Sequence, residues 1–203
     1  MAIILIGGNS RRVGKTSVVA GIIANLPEYG WSAFEIAQHG HGMGSVDASA
    51  STGWAMSEET DRSGKSDTSR FQAAGAERAF WVRTEPNRLD QAMPAVQDKL
   101  AESKNAIVES NSVLQFLQPD LYLVVIDPAV HDSKTSAQKF LDRADAMIVH
   151  HRPSPAHEEW FTTLSKLKTG RPVFLITSPK YVTREIVEFV RKALSSQDAA
   201  GGR

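Results

Sequence analysis

Cysteine is absent from the 203 residues, which excludes disulfides and thiolate metal sites and agrees with a reducing compartment. No apolar run approaches the ~20 residues that a membrane span needs. The first such run, Ala2–Ile6, is too short for a signal-peptide core and passes straight into a glycine-rich loop. Neither sign of charge dominates: Lys+Arg and Asp+Glu both number 23, so no bulk attraction draws the chain to nucleic acid or to an anionic membrane. The histidines do not stand at zinc-site spacing, and no Asn-Lys-x-Asp segment of the kind that reads guanine occurs. What remains, 41% hydrophobic and 23% charged residues, suits one soluble domain with a substantial core. A cytoplasmic protein is the expectation.

The most informative stretch is GGNSRRVGKTS at residues 7–17, directly after Ala2–Ile6. Gly14, Lys15 and Thr16 form the Gly-Lys-[Ser/Thr] core of a phosphate-binding loop. A glycine lets backbone amides approach a phosphate, a lysine offers an ammonium, and a threonine hydroxyl suits Mg²⁺. The helix that follows, marked by Val18, Val19, Ile22, Ile23 and Leu26, would direct its positive N-terminal end at the anion. On this reading the loop residues Gly8, Asn9, Ser10, Arg11, Arg12, Val13, Gly14, Lys15, Thr16 and Ser17 cradle the phosphates. The first glycine of the usual motif would fall at position 9, where Asn9 stands; asparagine tolerates left-handed backbone better than most residues.

Apolar, β-rich runs recur at Ala2–Ile6, Ser32–Ala37, Arg78–Arg83, Asn105–Glu109, Leu121–Ile126, Ala146–His150 and Pro172–Thr177, with helical patterns between them. This rhythm predicts an α/β fold with a mainly parallel, doubly wound sheet of about seven strands, the three-layer sandwich of P-loop NTPases. Leu89, Met93, Val96 and Leu100 mark a helix with Pro94 as a kink or late start. Ser154 and Pro155 open another helix, and Ile186 to Leu194 belong to a last one. A single domain over 1–195 is expected, with a disordered tail at 196–203. The polar segment at about 40–69 lacks periodic apolar content and reads as a flexible lid over the phosphate side.

A nucleoside-triphosphate site needs carboxylates beside the metal. Two strands end in one, at Glu109 and Asp127, and Glu109 is favoured because Ser110, Asn111 and Ser112 follow it. Asp127, before Pro128, also suits a turn. In the segment DRSGKSDTSR, Lys65 and Arg70 could clamp an anion, Asp67 could approach the metal, and Thr68 could cap a helix. His39 and His41 follow the second strand and could bind a metal or an anionic substrate. His150 and His151 end a strand on the same edge.

Taken in order, these segments resemble the P-loop proteins of the molybdopterin-guanine dinucleotide biosynthesis B (MobB) type, in the same broad class as dethiobiotin synthetases and nucleotide-dependent metal chaperones. The matching segments are the P-loop, QHGH at Gln38–His41, GKSDTSRFQAAGA at Gly64–Ala76, and Val108-Glu109. The departures are Gln38 for a lysine, the inserted Ser66, Ser110 for a glycine, and Asn9. The resemblance covers roughly the first 110 residues. It implies that Lys15 and Thr16 are phosphate and Mg²⁺ ligands, that Asp67 and Glu109 are metal-side carboxylates with catalytic roles alongside Lys15, and that His39 and His41 line the cleft. It further implies a Mg²⁺-dependent protein that binds GTP or ATP with weak hydrolysis and serves a partner enzyme in molybdenum-cofactor biosynthesis, as a homodimer. Two alternatives stay open: an ATP-dependent small-molecule kinase or ligase of the dethiobiotin-synthetase type, with Lys65 and Arg70 on the substrate, and a nucleotide-gated metallochaperone.

Overall fold

The computed structural model describes residues 1–38, 53–130, 141–151 and 170–201, with side chains to Ser195 in the last segment. His39, His41, His131, the first part of the expected lid and the helix expected at Ser154 lie outside the described residues. Eight strands form one sheet: β1 (Ile3–Gly8), β2 (Trp31–Gln38), β3 (Trp54–Glu58), β4 (Arg78–Thr84), β5 (Asn105–Glu109), β6 (Leu121–Ile126), β7 (Ala146–His150) and β8 (Val173–Ile176). Their spatial order is β3-β4-β2-β5-β1-β6-β7-β8, and every pairing is parallel except that of β3 with β4. The seven strands expected from the sequence are all present. The eighth, β3, falls inside the segment read as a lid. Its five residues, WAMSE, are half-exposed or exposed; Trp54 and Met56 pack against the core from the edge, but the apolar stretch is too short and too little buried to read as a central strand.

Helices cover both faces. On one side α1 (Lys15–Asn25), α2 (Asp67–Ala73) and α4 (Arg184–Gly201) pack on Ile4, Ile6, Leu123, Val125 and Ile148. On the other, α3 (Leu89–Ala101) places Leu89, Ala92, Met93, Val96 and Leu100 over a layer that includes Leu5, Phe34, Phe80, Val108 and Val124. Phe34 and Phe80 stack there with ring centroids 4.9 Å apart. β1 and β6, neighbours in the interior of the sheet, are buried along their whole length, as a parallel sheet sandwiched between helices requires.

Three local details differ from expectation. Helix α3 begins at Leu89 and carries Pro94 within it, so Pro94 gives no late start; the apolar face of the helix is held against the sheet on both sides of the proline. Helix α2 is capped by Ser66 rather than Thr68: the Ser66 hydroxyl accepts from the Ser69 N–H at 3.1 Å, while the Ser69 hydroxyl accepts from the Ser66 N–H at 2.8 Å. This reciprocal pair satisfies two amides at once. Thr68 instead donates to Glu59 at 2.9 Å. The last helix runs through residues 196–201, part of the segment read as a tail.

Ile22 is fully buried where α1 meets the sheet. Ile22→Ala is expected to lower the unfolding free energy by about 2–5 kcal/mol, read from the urea midpoint at unchanged m-value.

Candidate functional site

A parallel sheet brings all its strand-to-helix turns to one edge, and the loop after β1 lies at the centre of that edge. Two asparagines hold this loop. Asn111, just beyond β5, accepts from the Gly8 N–H at 2.9 Å and donates to the Gly8 carbonyl at 2.7 Å. Asn9 does the same to Asp127 at the end of β6, donating to its carbonyl at 3.1 Å and accepting from its N–H at 3.2 Å. The Asn9 N–H also bonds the Val125 carbonyl at 3.1 Å. The residue that breaks the usual motif is therefore a side-chain staple between β1 and β6.

Beyond this staple the loop turns sharply. Arg12 has φ 59° and Gly14 has φ 91°. Left-handed backbone costs a non-glycine residue roughly 1–2 kcal/mol, and such strain persists where the surroundings over-determine it. One restraint is at hand: buried His150 donates from Nε2 to the Val13 carbonyl at 2.8 Å. At Gly14 the Tyr181 ring lies so close that any Cβ would strike it, and His150 meets that ring edge-on at 5.7 Å. Glycine is required there by both conformation and space.

Lys15 and Thr16 open α1 and converge on Glu109. The Thr16 hydroxyl donates to Glu109 Oε2 at 2.9 Å, and Lys15 Nζ lies 3.8 Å from Oε1 and donates to the Ser10 carbonyl at 3.1 Å. Arg70 reaches over from α2 to donate to Ser17 Oγ at 2.9 Å, and its other amino group is 3.8 Å from Asp67. A cleft of about 1180 Å³ runs past these groups; Arg11, Arg12, Asp67, Arg70, Glu109 and Tyr181 are in its wall, and it extends to Asn87, Asp90 and Phe116. Lys65 sits on the exposed loop before α2 and outside that wall. Asp127 also lies outside it: the carboxylate accepts from the Ala129 N–H at 3.1 Å and caps a turn. His150 supports the loop from beneath, and His151 is exposed, with its N–H on the Ile176 carbonyl.

Glu35 was not singled out by the sequence. It stands on β2 directly beside Glu109 on β5, and both line the cleft. Burial chiefly, then the charges of Glu109 and Asp67, push the Glu35 carboxyl up to about 8, against the pull of Lys15. Burial likewise raises Glu109, and outweighs Lys15 and the Thr16 hydrogen bond. An acidic residue at a core-facing position of an apolar strand was the available signal; its pairing with Glu109 depends on cross-strand register. Tyr181 escaped for the same reason, since its partner is remote in sequence, and Asn111 was read only as one of the polar residues after Glu109, without its bonds to Gly8.

The donors that meet here, a threonine hydroxyl and a carboxylate, are hard oxygens suited to Mg²⁺, and the ammonium of Lys15 and the N-terminus of α1 suit phosphate. No protein-family model matches the chain, and no curated protein matches it. Among solved structures it is similar to HypB from Helicobacter pylori in complex with nickel, at 18% identity and TM-score 0.50, over 98% of this chain and 87% of that one. Zn(II)-bound YjiA GTPase from E. coli matches at 16% identity and TM-score 0.50, over 92% of this chain. The signal recognition particle 54 kDa protein from Aeropyrum pernix K1 in complex with GDP matches at 18% identity and TM-score 0.50, over 98% of this chain. The chain spans only 60% and 47% of the last two. These likenesses establish the fold: an α/β P-loop NTPase sandwich.

Two outcomes follow for the ligand-free protein. Asn9→Gly restores the usual glycine yet removes the staple, so its melting temperature is expected to fall, by about 1–2 kcal/mol of stability. The second concerns pH. An acid raised from 4.5 to about 8 stabilises the fold below its unfolded pKa and loses that contribution as pH rises through the folded one. Thermal melts should therefore show stability falling from about pH 5 to about pH 8, and Glu35→Gln should flatten the decline; equal slopes in both proteins would count against a shifted Glu35.

Proposed function

We propose that this chain is a Mg²⁺-dependent nucleoside-triphosphate-binding protein with slow hydrolysis, acting as an accessory to another enzyme. The single observation behind this reading is the meeting of Lys15, Thr16 and Glu109 at the ends of β1 and β5. Lys15 and the N-terminus of α1 would hold the phosphates, and Thr16 with Glu109 would hold Mg²⁺, directly or through its waters. The metal would neutralise charge on the phosphates. Asp67 and Arg70 flank the same cleft and would position the terminal phosphate. The resemblance to the MobB type makes molybdenum-cofactor biosynthesis the context we favour, with a partner enzyme and a homodimer as part of that proposal. The base is GTP's or ATP's.

A second reading, ATP-dependent transfer to a small molecule, draws on the reach of the cleft. It continues past the phosphate groups to Asn87, Asp90 and Phe116, which leaves room for another substrate. The metallochaperone alternative rests on His39 and His41, outside the described residues; among the described residues no group of three or more His, Asp or Glu could hold a metal ion.

Calorimetric titration with GTP and with ATP, each with and without Mg²⁺, tests the main reading. Saturable Mg²⁺-dependent binding is expected, weakened about 10- to 150-fold by Lys15→Ala, the loss of one charged contact. If neither nucleotide bound, or if Lys15→Ala titrated like the wild type, the reading would fail. Phosphate release accelerated by one member of a metabolite panel would move the assignment to the second reading.

A further inference from the structure

Strand β4 carries two arginines in opposite situations. Arg78, on the more exposed half, donates to Glu58 at 2.8 Å and to Glu102 at 2.9 Å, with its guanidinium 4.7 Å over the Phe80 ring. Arg83 is only 6% exposed, and among the described residues no carboxylate pairs with it. Its guanidinium lies 4.1 Å over the Trp81 ring. The Arg83 Nε–H and the Trp81 indole N–H are both buried without a hydrogen-bond acceptor.

A buried guanidinium without a counter-charge is costly, and stacking on an indole face offsets only part of that cost. Stacking occupies the face of the guanidinium and leaves its edge, the part that forks onto carboxylates and phosphates. Position sharpens the point. Trp81 and Arg83 are two residues apart and so share one face of β4. Across the strand, Trp81 is in register with Glu35 and Arg83 with Ala37; those two β2 residues line the cleft, whereas Trp81 and Arg83 stand one strand further out, behind its wall.

We infer that Arg83 and Trp81 form an oxyanion site, which takes the carboxylate or phosphate group of a small molecule at the β4 end of the cleft, separated by two strands from β1 and its phosphate-binding loop. The Arg83 edge supplies charge-assisted donors, and the Trp81 indole N–H supplies a neutral one. The site's existence is independent of the nucleotide; its use as the anchor of a second substrate rests on the nucleotide-binding reading above.

The test is thermal melting with tryptophan emission on the full chain, titrated with inorganic phosphate or with succinate at constant ionic strength. The Lys15→Ala background weakens the contribution of the phosphate-binding loop, and Arg83→Met is compared with its parent within that background. One of the two anions should raise the melting temperature and shift the emission, and which one does so distinguishes a phosphate from a carboxylate ligand. Arg83→Met should melt higher than its parent without anion, because a buried unpaired charge is gone, and should not respond to either anion. Trp81→Phe keeps an aromatic face, folds independently of the Arg83 variant, and should bind the anion about tenfold more weakly. A response that persisted in Arg83→Met, or the absence of any response in Lys15→Ala protein that retains Arg83, would overturn the site. Loss of nucleotide binding in the wild type would instead sink the functional reading and leave this result standing.

Discussion

The cleft depends on how the end of β1 is fastened. A strand buried on both faces can present polar groups only where it leaves the sheet, and there its backbone needs partners that the ladder no longer supplies. Asn111 and Asn9 are those partners: one bonds both polar groups of Gly8, the other both backbone groups of Asp127. With the strand end tied to β5 and β6 in this way, the loop has a fixed origin. From it the positive φ at Arg12 and Gly14 sets the direction of α1, and α1 carries Lys15 and Thr16 onto Glu109.

The charges along this edge are ordered by the sheet. Glu109 and Glu35 stand side by side on β5 and β2, and next in the row comes Trp81 on β4. Lys15 and Arg70 approach the acidic pair from the helices. Two neighbouring buried carboxyls cannot both be comfortably ionised, so the row resists full deprotonation while the helix side gathers cations. A polyanion entering from the loop would meet amides and ammonium first, and the acids only after them.

Much of this was written in the sequence in a form that periodicity can read. LYLVVI and the Ala2–Ile6 run name buried strands because a run with no polar residue has nowhere to go but between two layers. The glycine-lysine-threonine spacing names the loop because few other demands produce it. Other parts depend on cross-strand register, which spacing does not carry. Glu35 becomes a site residue only once β2 is laid beside β5, and Arg83 becomes unusual only once it is seen that no carboxylate among the described residues pairs with it. Strand β3 was hidden for another reason: an edge strand needs only one neighbour and can be short, and its few apolar residues stand within a polar segment. Asn9 looked like a defect because the motif describes the loop alone, whereas the partner of Asn9 is the peptide of a strand far along the chain.

The contact between Tyr181 and Gly14 also bears on the order in which the protein comes off the ribosome. Gly14 is made well before His150, under the same loop, and before Tyr181. Strand β1 itself waits for β5 and β6 before either edge is paired. A nascent chain can thus build α1 early, from local contacts, while its phosphate loop stays unfinished until nearly all the domain has emerged. The most recognisable segment of the sequence is then one of the last to acquire its shape.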